Sequence, residues 1–198
     1  LPSAWYSEDS VISFALAVRL ASTIPDTRIK KDLCDFIAKL FNLRRQAGAP
    51  GIRELSEKIS VKNIEYSRVN EDDFHAIVNA LFQQVPLTIS YYSPHSKKMT
   101  ERTIVPLHLI QYMGSWHMIA FCSLRNDIRD FALSRIRSIA LSDDNITLPD
   151  GLPPVKEFTR KHFGIIQGGK SRTVRLLFSP DIADWIGEQI WHPDQELT

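Results

Sequence analysis

The sequence is short of cysteine, of long apolar runs and of any net excess of charge, and each shortage excludes a class of protein. Two cysteines in 198 residues, Cys34 and Cys122, cannot staple a disulfide-rich secreted fold. They suit a reducing compartment, so the chain reads as cytoplasmic. No run of about 18 apolar residues occurs, which excludes a membrane-spanning helix. The first residues carry no secretory-signal pattern. Lysine and arginine number 24 against 23 aspartates and glutamates, a formal net charge of +1, so the whole chain has no strong attraction for a polyanion. Catalytic signatures are missing too: there is no Gly-x-Ser-x-Gly, no phosphate-binding loop and no paired-carboxylate pattern. His95, His108 and His117 fit no standard metal-ligand spacing. No enzyme, metal or cofactor is therefore expected. What remains, 43% hydrophobic and 24% charged residues, is the composition of an ordinary folded protein. The chain opens on Leu1 and stops at Thr198 without a turn signal, as an excised piece of a longer protein would.

The balanced total hides a sorted distribution. Residues 1–84 carry equal numbers of basic and acidic side chains. Residues 85–142 are basic: Lys97, Lys98, Arg102, Arg125, Arg129, Arg135 and Arg137 face only Glu101, Asp127 and Asp130. Residues 143–198 are acidic by three charges. A local cationic surface attracts anions even on a nearly neutral chain. The same excess can equally be a solvated face.

Three textures follow one another. Up to about residue 84 the periodicity is helical. Ser7 is placed to cap a helix through Val11, Phe14, Val18 and Ala21, which Pro25 stops. Asp26 is placed to cap a second, striped with Ile29, Leu33, Phe36, Ile37 and Leu40. Asn70 and Asp73 open a third, with Phe74, Ile77, Val78, Leu81 and Phe82 predicted to face inward. The middle is rich in β-formers. Strands are predicted at Leu87–Tyr92, Thr100–Tyr112 with an interruption at Pro106, Trp116–Cys122, Ile128–Leu133 and Arg135–Leu141. Turns at hairpin spacing separate them, which predicts a small five-stranded antiparallel barrel. After the linker Pro149-Asp150-Gly151-Leu152-Pro153-Pro154 come a short helix over Val155–Phe163, a strand over Thr173–Phe178 and a helix from Pro180. The fold class expected is α+β, organised as residues 1–70, 71–145 and 146–198.

The middle stretch resembles the WYL domain of bacterial transcription regulators. The fragments that carry the resemblance are Leu87-Thr88-Ile89-Ser90-Tyr91, Glu101-Arg102-Thr103-Ile104-Val105-Pro106, Gly114-Ser115-Trp116-His117-Met118 and Arg129-Asp130-Phe131-Ala132-Leu133-Ser134-Arg135-Ile136. The flanks agree. Leu1–Trp5 and the helix after it are similar to the helical linker of such regulators, and Val174–Phe178 through Trp191–Gln195 to the start of their C-terminal extension. His117-Met118 departs from the Tyr-Leu of the family name. Methionine conserves volume, whereas histidine exchanges a hydroxyl for an imidazole.

The resemblance implies an Sm-like β-barrel that senses a ligand, a winged helix upstream that binds duplex DNA, and a homodimer. The ligand implied is single-stranded nucleic acid or a nucleotide-like anion. The residues agree: Tyr91, Trp116 and Phe131 interleave with Arg102, Arg129 and Arg135, and arginine pairs with phosphate in bidentate fashion and stacks on bases. The expected ligand-binding set is Tyr91, Arg102, Trp116, His117, Arg129 and Arg135. Trp116 and Phe131 are also large enough simply to fill the barrel. His117 and Cys122, five apart on one strand, face opposite sides and cannot pair as base and nucleophile. The alternative function is a nucleic-acid-binding module of a defence or processing system with no transcriptional role.

Overall fold

A computed structural model describes residues 13–14, 16–18, 21–45, 61, 67–94, 96–155, 159, 173–192 and 194–198. It divides into two compact units, Leu1–Thr147 and Leu148–Thr198. Most of the helix predicted over Val155–Phe163 and the start of the first predicted helix lie outside the described residues.

In the first unit a 3₁₀ turn, Ala21–Thr23, leads through Pro25 to helix α1, Thr27–Arg45. Proline at 25 ends the preceding turn because it has no N–H to give. Asp26 then caps α1: its Oδ1 accepts from the backbone N–H of Arg28 at 2.8 Å and of Ile29 at 3.3 Å. Helix α2, Glu71–Gln83, is capped in the same manner, with Asn70 Oδ1 accepting from the N–H groups of Asp72 and Asp73. Its first turn, Glu71-Asp72-Asp73, places three acids at the positive end of the helix dipole. Gln84, at φ 57, closes it in the left-handed conformation. Phe74, Ile77 and Ala80 are buried, but Phe82 is 81% exposed, against the sequence expectation. Phe82 lies five residues on from Ile77, about 140° round the helix, off the buried stripe.

Five antiparallel strands follow: β1 Leu87–Ser93, β2 Lys98–Tyr112, β3 Ser115–Cys122, β4 Asp127–Ala132 and β5 Ile136–Leu141. Met113 and Gly114, at φ 44 and 74, make the tight turn between β2 and β3. A two-residue hairpin of type I′ has positive φ at both positions, which glycine adopts without strain. The register of β2 against β3 shifts between Pro106 and His108. Proline cannot donate to the ladder, so the pairing skips there.

The strand order is β4-β3-β2-β1-β5. The sheet is open: β4 and β5 are its two edges, and the closed barrel expected from the sequence is corrected to an unclosed sheet. A 3₁₀ turn, Leu133–Arg135, stands between the last two strands, and it turns Leu133 into the core instead of extending β4.

The register sorts side chains between two faces. On the face toward α2 lie Leu87, Ile89, Ile104, Met118, Ala120, Cys122, Phe131 and Ile136, packed with Phe74, Ile77 and Ala80 of the helix. Removing one such wholly buried aliphatic side chain costs about 2–5 kcal/mol. The far face carries Val105, Ile119, Phe121, Ile128 and Ala132, all buried as well. Strand β3 is therefore dry on both faces, which is why its sequence shows no polar–apolar alternation.

In the second unit residues 173–179 join no sheet among the described residues, so the strand predicted there is not formed. Leu177 within it is 99% exposed. Helix α3, Pro180–Gly187, begins with proline at its first turn, where the missing N–H is not needed. Phe178 meets Trp191 edge to face at 5.6 Å. Gln195 ties the end of the chain together, accepting from the N–H of Trp191 and donating to the carbonyl of Gln189.

Candidate effector-binding site

The six residues singled out from the sequence do not form one cluster. Tyr91, Arg102 and Arg129 share the face toward α2, as their pairings with Thr100, Ile89 and Ala120 require. They lie toward the end of the sheet where β3 finishes at Cys122. Tyr91 meets Phe131 edge to face at 5.1 Å, and its register partner on β5 is Ile136, next to Arg135.

Arg102 is the central cation of this end. It is half-buried, opposite the fully buried Ile89. Its Nε donates to Thr100 Oγ1 at 3.2 Å, and Nη1 approaches Cys122 Sγ at 4.0 Å. No carboxylate pairs with it among the described residues, and the same holds for the exposed Arg135 and Arg137. A guanidinium that is partly desolvated and lacks a counter-ion gains most from an incoming anion, because a bidentate oxyanion satisfies charge and donors together. Arg129 differs. It is 52% exposed and pairs with Asp127 at 2.9 Å, an ion pair open to water on both sides. Such a pair is worth little and is readily exchanged for a phosphate.

Trp116 and His117 are committed elsewhere. Trp116 stands at the opposite end of β3, six residues from Cys122, about 20 Å along an extended strand. Its indole N–H donates to the carbonyl of Thr23 at 2.9 Å, and its ring meets Phe74 edge to face at 5.0 Å. His117 points to the far face and is only 4% exposed. Its Nδ1–H donates to the carboxylate of Asp130, 2.9 and 3.1 Å from the two oxygens. Tyr91 and Arg102 thus remain grouped at one end, with Arg129 and Arg135 at the rim, while Trp116 and His117 serve internal contacts.

Two polar pairs were not evident in the sequence. Asp130 as the partner of His117 is recoverable by folding β3 onto β4 about the Ser123–Asn126 turn, which sets Ile119 opposite Asp130 and His117 diagonal to it. The second joins the helices. His75 Nδ1 lies 2.7 Å from Asp26 Oδ2, Thr27 donates to Glu71 at 2.7 Å, and Arg28 reaches Asp72 at 3.1 Å. Asp26 is 0% exposed. Burial alone would raise its carboxyl, but side-chain hydrogen bonds from Arg28 and His75 and backbone N–H groups of Ile29 and Arg28 outweigh it and hold the pKa at about 2. The Arg28 guanidinium is raised in turn, chiefly by its bond to Asp26. No local pattern announces this contact, since Asp26 and His75 are far apart in the chain.

Among the described residues no group of three potential metal ligands occurs, and no helix is long and apolar enough to cross a membrane. Residues 72–141 match the family model described as the WYL domain. The chain is 28% identical over 119 residues to an uncharacterized HTH-type transcriptional regulator, YobV, of Bacillus subtilis (strain 168). That match takes in 56% of this chain and 36% of the relative, so it spans little more than a third of the relative's length. Among solved structures, proteasome accessory factor B/C (PafBC) of Arthrobacter aurescens aligns with 72% of this chain and 21% of its own, at 21% identity and a TM-score of 0.37. That likeness is too loose to bear on function.

Proposed function

We propose that this chain, which carries a WYL domain over residues 72–141, is the effector-sensing part of a bacterial transcriptional regulator. Its effector is an anion of nucleic-acid or nucleotide type, held by Arg102 and Tyr91 with Arg129 and Arg135 at the rim. The observation that carries the reading is Arg102: half-buried, backed by Thr100 and Cys122, and without a carboxylate partner among the described residues. The tyrosine ring beside it, braced against Phe131, offers a face for a base. The relative's name, an HTH-type transcriptional regulator, supports the output, duplex DNA bound through a helix-turn-helix segment; paired half-sites are read by a homodimer. The effector acts by favouring one arrangement of the sheet relative to the segments it joins, so that binding energy is spent on the equilibrium of the DNA-binding parts and not on chemistry.

Fluorescence anisotropy of a labelled oligothymidylate across a range of salt concentrations tests the site. The expected result is affinity that falls with salt with a log–log slope of several units, and that drops at least about tenfold in the Arg102→Ala, Arg135→Ala double variant. Equal affinity of the wild type and the double variant, or no binding at low salt, overturns the assignment.

A further inference from the structure

Among the described residues, Trp116 is the only strand residue hydrogen-bonded to the segment Ala21–Arg45 that precedes the domain, here termed the arm. The other polar ties of the arm, Asp26 to His75, Thr27 to Glu71 and Arg28 to Asp72, all end on helix α2 near its first turn. Those ties hold the arm to the helix and not to a strand. Trp116 holds it to β3, whose last residue, Cys122, touches Arg102.

Between Trp116 and that end runs a continuous packed path. Tyr91 sits against Phe131 at 5.1 Å. Phe131 is the register partner of Met118, and Met118 is fully buried. Trp116 follows on the same face of β3, two residues away, with Phe74 against its ring at 5.0 Å. Interiors packed to crystalline density do not absorb a displaced ring by compression. They pass it on to whatever neighbour has another place to go. Here that neighbour is a single hydrogen bond, indole N–H to the Thr23 carbonyl, at the point where the arm turns into α1.

We infer that Trp116 is the positioning residue that couples the Tyr91–Phe131 ring pair to the arm. It does so by holding the Thr23 carbonyl through its indole N–H. The inference rests on the reading of Tyr91 as part of the effector site, but its test needs no effector.

The test is hydrogen exchange of the full chain, read at the amides of Ile24, Arg28, Ile29 and Lys30. Each of these is hydrogen-bonded within the arm. Rates are taken relative to the ladder amides of Ile104 and Met118, which report global opening. Tyr91→Ala removes the ring from Phe131 and none of the hydrogen bonds of the arm. With Trp116 present, this change is expected to speed relative exchange in the arm by about threefold or more. In a Trp116→Phe background, which keeps a ring against Phe74 and loses only the N–H, the same change is expected to alter the arm by less than about 1.5-fold. An equal response in the two backgrounds, or no response with Trp116 present, overturns the inference. A purely structural tryptophan would change the baseline and leave the response intact. If Trp116→Phe does not fold, Phe74→Leu, which loosens the ring and leaves the N–H in place, is expected to weaken the response. An undiminished response there overturns the inference as well. Failure of oligothymidylate to bind would remove the effector reading and leave this comparison unaffected.

Discussion

Asp26 is the sharpest place to test how the arm is held. Replacing it with alanine removes the acceptor of the Arg28 and Ile29 N–H groups and the carboxylate facing His75. Loss of a capping side chain costs about 1 kcal/mol, and loss of a charge-assisted hydrogen bond about 1.5–3 kcal/mol. Together these predict a destabilisation of about 2–4 kcal/mol for Asp26→Ala. Asparagine keeps an oxygen for the cap and loses only the charge, so Asp26→Asn should cost about 1–2 kcal/mol. At about 2–4 °C per kcal/mol for a chain of this size, the melting temperature falls by roughly 4–16 °C for alanine and roughly 2–8 °C for asparagine. Acid supplies a second, independent signature. The folded-state pKa of about 2 lies below the ordinary 3.8, so the carboxylate contributes stability that is fully present above pH 4. That contribution is lost as pH falls from 4 towards 2. The stability gap between wild type and Asp26→Asn should therefore close across that window and stay constant above it. Differential scanning fluorimetry of the three proteins from pH 2.5 to 7 measures both effects. Equal melting temperatures at pH 7, or a gap that does not narrow in acid, refutes the account of Asp26.

His117→Phe keeps a ring of similar size and leaves Asp130 without its donor. It should cost about 1–3 kcal/mol in urea unfolding, and a neutral outcome would show that the His117–Asp130 pair contributes nothing. Arg129→Ala should change stability by less than about 0.5 kcal/mol, because both partners of its ion pair are exposed. The same substitution should lower the salt slope of oligothymidylate binding by about one unit. An unchanged slope would take Arg129 out of the phosphate contacts.

Much of the fold was legible because it is set by local signals. Caps at Asp26 and Asn70, the stop at Pro25 and the turn at Gly114 each act within a few residues. A run of β-formers punctuated by such turns leaves few ways to pair, and the five strands fall close to their expected bounds. Pro106 marks its own register shift because a missing N–H is a property of the residue wherever it lies. Phe82 is exposed because the apolar stripe in the sequence is wider than the face α2 turns to the sheet.

The candidate site was less legible, for a reason visible in Trp116. Strand parity assigns a face, and it sets His117 and Cys122 on opposite faces, as the register of β3 also has them. Parity does not give distance along the strand, and β3 is long enough to hold Trp116 and Arg102 at opposite ends. Motif order grouped them, whereas three dimensions separate them. Whether a tryptophan stacks on a base or anchors a backbone carbonyl depends on what stands before its N–H. In this protein that is Thr23, 93 residues away. The same holds in part for Asp26, whose carboxylate is held by the nearby Arg28 and by His75 from a distant helix.

Sequence alone therefore determined the α+β class, the order of the elements over residues 71–141, the caps at Asp26 and Asn70 and the basic character of the middle stretch, because each rests on backbone preference or on composition. Tertiary structure decided that the sheet stays open, that Trp116 and His117 serve internal contacts, and that Arg102 keeps its charge without a carboxylate partner among the described residues. Those outcomes depend on which distant groups come within about 3 Å of one another, the range over which a hydrogen bond is made or lost.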